Sequence, residues 1–257
     1  MNRYESRRGF IRMLTSFAGA ALLRPTHLLA ASGRGYRAVA FDGFALFDPR
    51  PIAALAARLF PGKGDQLVEL WRVKQLDYQW LRALSGRYQD FWQTTESALV
   101  FAARALGLDL TGELRDRLMR AWLQLKAWPD VAPSLRKLRE ARLRLAPLAN
   151  LTPHILDSAI VTSGLEGAFD EVISTDRART FKPDPRAYQL GVEVLRLRRE
   201  EIVFVASAGW DASGASWFGY PTFWLNRAGA PAEELHAGLA GTGREMADLL
   251  AFLASTK

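Results

Sequence analysis

Two spacings of apolar positions alternate along this chain. Residues 38–41, Ala-Val-Ala-Phe, form a short apolar run that ends abruptly at Asp42 and Gly43, the pattern of a fully buried strand. From about Pro51 to Lys126 the spacing becomes helical. Residues 51–59 form one short helix, which Pro61-Gly62-Lys63-Gly64 breaks. Residues 65–84 place Leu67, Leu70, Trp71, Leu76, Trp80 and Leu81 close to one helical stripe, and Ser85-Gly86-Arg87 ends it. Residues 88–106 and 111–125 give two further helices, with Thr111 well placed as an N-cap. The apolar and aromatic stripe of this block reads mostly as its own core.

From Pro129 strands return between helices. The pattern predicts a helix over 131–140, a buried strand over 143–148 and a helix over 152–163 with Pro153 in its first turn. A short strand follows over 171–174, then the loop Phe181-Lys182-Pro183-Asp184-Pro185 and a helix from Pro185 to Leu195. A fourth strand over 201–205, a short helix over 211–218, a fifth strand over 221–225 and a terminal helix over 244–253 complete the chain. Five strands alternating with helices imply an α/β fold with a mostly parallel, three-layer sheet. The core then comprises residues 36–50 and 129–257, and residues 51–128 are an all-helical cap inserted after the first strand.

The first thirty residues follow neither spacing. Ser6-Arg7-Arg8-Gly9-Phe10-Ile11-Arg12 is a twin-arginine pattern, followed by a modest apolar run over 13–23 and the small residues Ala30-Ala31-Ser32-Gly33. Basic, apolar and small segments in that order predict a twin-arginine signal peptide over residues 1–31 and a periplasmic destination. A disordered basic tail is the alternative. The apolar run is too short to span a bilayer, so no membrane association is expected once the signal is removed. This segment also holds five Arg against one Glu, more than half of the net charge of +7. The remaining excess is too small and too scattered to indicate a nucleic-acid partner. The chain has no cysteine, which excludes disulfides, cysteine nucleophiles and cysteine–metal sites, and only three histidines, so neither a metal site nor a cofactor is expected.

Polar residues stand at four strand ends. They are Asp42, then Asn150-Leu151-Thr152, then Lys182, then Ser207 and Asp211. Parallel strands bring such ends to one edge of the sheet, where ligands bind in open α/β folds. Asp42 is thus a candidate nucleophile or metal ligand, and a strand-ending aspartate that caps a turn is the bland alternative. A carboxylate near a lysine keeps its charge and stays nucleophilic at neutral pH. Singly, a lysine before proline is more often a solvated loop residue, and an aspartate opening a helix is more often a cap.

In this order the residues resemble the haloacid dehalogenase superfamily, and more closely its type II L-2-haloacid dehalogenases. The likeness runs from about Tyr36 to the C-terminus. It is carried by Phe181-Lys182-Pro183-Asp184 and Gly209-Trp210-Asp211-Ala212 in the core, and by Trp71-Arg72-Val73-Lys74-Gln75-Leu76-Asp77-Tyr78 and Gly86-Arg87-Tyr88-Gln89-Asp90-Phe91-Trp92 in the cap. The resemblance implies a Rossmann-like core and hydrolytic dehalogenation of short 2-haloalkanoic acids. Asp42 would displace halide from C2 and form an ester, which water would hydrolyse to the 2-hydroxy acid. Arg72 and Asn150 would bind the leaving halide, and Lys182 would hold and polarise Asp42. Tyr188, Ser207 and Asp211 would belong to the polar network, and Phe44, Leu76, Phe91 and Trp210 to an apolar substrate wall. The family's habit further implies a homodimer.

Departures from the family pattern keep other readings open. The turn Gly43-Phe44-Ala45-Leu46 is shorter than usual and lacks a Gly-Thr pair. Ala149, Ala206 and Ala208 stand where the family usually has hydroxyl or amide side chains. A catalytically impaired binding protein on the same fold is one alternative. A magnesium phosphatase of the same superfamily is another, but it needs a second aspartate two residues after the nucleophile, where this chain has Phe44.

Overall fold

A computed structural model describes residues 35–255. The twin-arginine pattern and the predicted signal over residues 1–31 lie outside them. The chain enters through strand β1 (Ala38–Phe41), makes a one-turn helix α1 (Gly43–Leu46) and a two-residue strand β2 (Phe47–Asp48), and then leaves the sheet. The helical insertion follows as α2 (Arg50–Leu59), α3 (Gly64–Ser85), α4 (Phe91–Ala105) and α5 (Gly112–Arg120). It returns through β3 (Lys126–Ala127), which pairs antiparallel with β2. The insertion is therefore bracketed by a small hinge ribbon a few residues earlier at each end than the 51–128 expected from sequence.

The second part of the core runs α6 (Val131–Glu140), β4 (Arg144–Ala149), α7 (Pro153–Thr162), β5 (Ile173–Ser174) and α8 (Pro185–Leu195). It continues through β6 (Ile202–Ala206), α9 (Gly209–Phe218), β7 (Thr222–Leu225), β8 (Gly241–Gly243) and α10 (Met246–Ser255). All six strands of the main sheet are parallel, in the order β5-β4-β1-β6-β7-β8. Sequence pattern predicts five of them. The sixth, β8, is a Gly-Thr-Gly segment with no apolar run to betray it. A side chain at Gly241 would press on Phe223 and Phe252 at 3.0 Å.

Successive side chains of β1 alternate between the two faces, as the strand period requires. Val39 and Phe41 join an apolar cluster with α6, α7 and α10, while Ala38 and Ala40 face Tyr188, Leu190 and Ala215 from α8 and α9. The first cluster runs on without a break into the insertion through Trp71, Phe91, Leu99 and Trp122.

The long helix α3 corrects one expectation. Its buried stripe is Leu67, Trp71, Gln75 and Gln79, whereas Leu81 and Leu84 are 60% and 87% exposed. The two glutamines go inward because each finds a partner there. Gln75 donates to Thr95 Oγ1 at 2.5 Å, and Gln79 accepts from Asn150 at 3.0 Å. Among the described residues no helix is long and apolar enough to cross a membrane.

Candidate active site

The strand β1 sits at the centre of the sheet, so its carboxyl end lies between those of β4 and β6. Asp42 continues the ladder by one bond, its N–H donating to Val205 O at 2.9 Å, and then the chain turns into α1. The capping role of Asp42 is present. One carboxylate oxygen, Oδ2, caps α1 by accepting from Phe44 N–H at 3.1 Å and also accepts from Ser207 Oγ at 2.5 Å. The other, Oδ1, accepts from Lys182 Nζ at 2.8 Å. Burial pulls the Asp42 carboxyl upward more than any single neighbour pulls it down, and the Lys182 ammonium is the largest of the opposing effects. With the hydrogen bonds of Lys182, Ser207 and Phe44 it holds the group below the usual carboxylate value.

Lys182 is fully buried between two carboxylates, with Nζ also donating to Asp211 Oδ2 at 2.6 Å. Burial alone favours neutral lysine. Asp211 and Asp42 reverse this and raise its pKa. One ammonium cannot neutralise two buried carboxylates, and the excess falls on Asp211. Burial lifts its pKa; Lys182 opposes this and Asp42 adds to it, leaving it at about 6. Tyr188 Oη donates to Asp211 Oδ1 at 2.7 Å from α8. α9 approaches that tyrosine closely because residue 214 is glycine. A Cβ there would lie 2.6 Å from Tyr188 Oη and 2.7 Å from Pro183 Cβ.

Asn150, at the end of β4, fixes the Lys182 loop. Its Oδ1 accepts from Lys182 N–H at 2.9 Å and from Thr175 Oγ1 at 3.2 Å. Gly43, at the start of the turn after Asp42, has no room for a side chain. A Cβ on Gly43 would come within 2.9 Å of Leu151 Cδ1 and 3.1 Å of Ala149 Cβ, so the glycine and the small residue at 149 fit one another. At 208 the alanine has the opposite effect: it occupies the N-cap position of α9 with no side-chain cap.

The structure brings together Asp42, Asn150, Lys182, Tyr188, Ser207 and Asp211. Phe44 is half-buried against Trp122 at 6.1 Å, and the buried Phe91 packs edge-on to the same indole at 5.1 Å. Trp210 meets Trp80 of α3 edge-on at 5.6 Å, and Leu76 is half-buried on the same helix. Arg72 is different. It is exposed and makes no hydrogen bond or ion pair among the described residues, so no contact joins it to Asp42 or Asn150.

Four residues escape the sequence reading. Gln79 reaches Asn150 from α3; a glutamine one turn after Gln75 within an apolar stripe is the signal that could have found it. Tyr88, from the loop after α3, donates to Asp176 and packs its ring on Phe181 at 5.1 Å. Trp128, beyond the hinge, donates from Nε1 to Phe44 O at 3.1 Å and from its backbone to Leu46 O at 3.0 Å. Arg227 stacks on Trp128, pairs with Asp130 through two 2.9 Å bonds and reaches Ala45 O at 3.3 Å. The carbonyls of Phe44, Ala45 and Leu46 are thus each held from outside the turn. Among the described residues no group of three or more histidine, aspartate or glutamate side chains is placed to hold a metal ion.

Residues 22–219 match the haloacid dehalogenase-like hydrolase family. A (S)-2-haloacid dehalogenase of Pseudomonas sp. (strain YL) is 44% identical over 77% of this chain and 86% of its own length. Haloacetate dehalogenase H-2 of Moraxella sp. (strain B) is 42% identical over 77% of this chain and 89% of its own. The structure of L-2-haloacid dehalogenase from Xanthobacter autotrophicus with chloropropionic acid covalently bound superposes with a TM-score of 0.79. It is 34% identical and covers 86% of this chain and 100% of that one.

Proposed function

The chain belongs to the haloacid dehalogenase-like hydrolases and, within them, to the L-2-haloacid dehalogenases, and from that premise we propose that Asp42 is the nucleophile that removes halide from short 2-haloalkanoic acids. One observation carries the assignment. Asp42 is buried and ionised, yet one of its oxygens is not saturated. Oδ2 accepts two hydrogen bonds and Oδ1 only one, leaving Oδ1 a lone pair for attack.

The chemistry follows from that asymmetry. Oδ1 attacks C2 and the halide leaves with the electrons of the carbon–halogen bond, giving an aspartyl ester. Water then adds to Cγ and loses one proton to solvent, and negative charge develops on Oδ2. The Ser207 hydroxyl and the Phe44 N–H already face that atom, the arrangement of an oxyanion hole. Collapse breaks the Cγ–Oδ1 bond and the proton of the added hydroxyl passes to the leaving alkoxide, so the 2-hydroxy acid leaves with the former carboxylate oxygen and Asp42 regains one from water. Lys182 keeps Asp42 charged before attack, and Asp211 and Tyr188 position Lys182. Phe44, Phe91, Leu76 and Trp210 supply the apolar wall that keeps bulk water from the ester. Arg72 lies on the same face of α3 as Gln79, two turns earlier, and its unpaired guanidinium is the cation assigned to the departing halide.

Halide release from chloro- and bromoacetate and from both enantiomers of 2-chloropropionate, with and without EDTA, tests the reaction. A single turnover in ¹⁸O-water should give unlabelled 2-hydroxy acid and labelled Asp42. Labelled product in that first turnover, or no halide from any substrate, refutes the reading. We also propose that residues 1–31 direct export by the twin-arginine route and that the mature enzyme acts in the periplasm. The paired arginines at 7 and 8 and the apolar run after them support this.

A further inference from the structure

The orientation of the Asn150 carboxamide is fixed by its neighbours. Its oxygen must face Lys182 N–H and the Thr175 hydroxyl, because the backbone N–H can only donate. Its nitrogen therefore faces α3, where it donates to Gln79 Oε1 at 3.0 Å. That bond in turn orients Gln79. With its oxygen committed to Asn150, its Nε2 points elsewhere, and it makes no hydrogen bond among the described residues. Gln79 is 2% exposed. That amide donor is therefore free to meet a ligand. The next residue supplies a second donor, and this one is fully enclosed: Trp80 Nε1 is buried without a partner while its ring rests edge-on against Trp210, one residue from Asp211. Native structures retain such a costly buried donor where a ligand completes it. Both donors come from the insertion, one on a residue bonded to Asn150 and the other on a residue packed against Trp210, beside Asp211. The species that carry negative charge in the proposed reaction are the substrate carboxylate and the departing halide.

We propose that Gln79 is a specificity-determining residue of this site, its Oε1 orienting Asn150 and its Nε2 donating to a bound monoanion, either carboxylate or halide. The inference rests on the dehalogenase reading, but its test does not need turnover. Saturable protection of the folded protein against heat reports anion binding directly, with propionate probing the carboxylate position and bromide the halide position. Gln79→Met keeps the size of the side chain and loses both functions. Gln79→Glu keeps the acceptor for Asn150 and loses the donor. For wild type, protection by at least one of the two anions is expected. In both variants the dissociation constant of that anion should rise about tenfold to a hundredfold, the loss of one hydrogen bond to a charged group. With 2-haloacid substrates, Gln79→Glu should raise KM more than it lowers kcat if the anion is carboxylate, and should relieve product inhibition by bromide if it is halide. Binding of both anions within twofold of wild type in both variants, with unfolding temperatures showing that they fold, overturns the proposal. An inactive wild type that nevertheless loses anion binding on Gln79→Met overturns the reaction instead and leaves the anion site standing.

Discussion

Replacing Lys182 by methionine tests the electrostatic heart of the site. The substitution keeps the length of the side chain and deletes the charge that lies 2.8 Å from Asp42 and 2.6 Å from Asp211. Since both carboxylates contact the same nitrogen, they stand within roughly 5–6 Å of each other. Two unit charges at that separation repel by about 3 kcal/mol at an effective dielectric constant of 20. Desolvation then goes uncompensated, and removal of one partner from a buried ion pair usually costs about 3–5 kcal/mol. The loss should depend on pH in a definite direction. In wild type the folded-state pKa of Asp42 lies below its unfolded value, a contribution to stability present above that value and lost as pH falls through the folded pKa. Without Lys182 the shift reverses. The folded state then binds more protons than the unfolded one, and stability falls as pH rises. The gap between variant and wild type should therefore be small near pH 5 and reach several kcal/mol near pH 8. Urea unfolding at the two pH values measures it, and halide release at pH 8 should fall by at least a hundredfold. A gap below 1 kcal/mol at pH 8, or one equal at both pH values, would show that Lys182 does not hold the two carboxylates as described.

Three further outcomes are expected. The rate of halide release should show an acid limb near pH 6, because protonated Asp211 leaves Lys182 to Asp42 alone and draws electron density from the attacking oxygen; Asp211→Asn should remove that limb while lowering the rate throughout. Tyr88→Phe removes the donor to Asp176 and should lower stability by about 1.5–3 kcal/mol in urea, with no change in activity per folded molecule; an unchanged midpoint would mean the bond is idle. A reporter fused to residues 1–31 should reach the periplasm, and Arg7→Lys with Arg8→Lys should strand it in the cytoplasm; delivery unaffected by the double change refutes the twin-arginine route.

Most of the catalytic core was readable because parallel strands have few places to put their ends. Once Ala38 to Phe41 read as a buried strand, Asp42, Asn150, Lys182 and Asp211 followed as polar residues at successive strand termini, and the structure collects all four. The insertion was less readable. Helical spacing finds the stripe of α3 but not which flank faces the core, since glutamines that find buried partners displace leucines outward. Hence the spacing puts Leu81 inside, and nothing in it marks Gln79. Arg72 marks a different limit: motif likeness assigns it a role that no contact here expresses. The hinge ribbon is too short, and β8 too poor in side chains, for periodicity to register either.

At the hinge, two guanidinium groups lie over the Trp128 ring, Arg50 at 4.4 Å and Arg227 at 4.8 Å. The same residue holds the carbonyls of Phe44 and Leu46, inside the turn that follows Asp42. This has a consequence for anyone exchanging helical insertions between relatives to change substrate range. Junctions cut at the obvious places, beside the two hinge strands, would separate Arg50 from Trp128 and loosen the turn that follows Asp42. Such chimaeras would lose rate for reasons unrelated to their new binding surface. Junctions set within the Pro61–Lys63 break and beyond α5 would leave Arg50, Trp128 and Arg227 as one inherited clamp, so that α3 to α5 become the exchangeable unit.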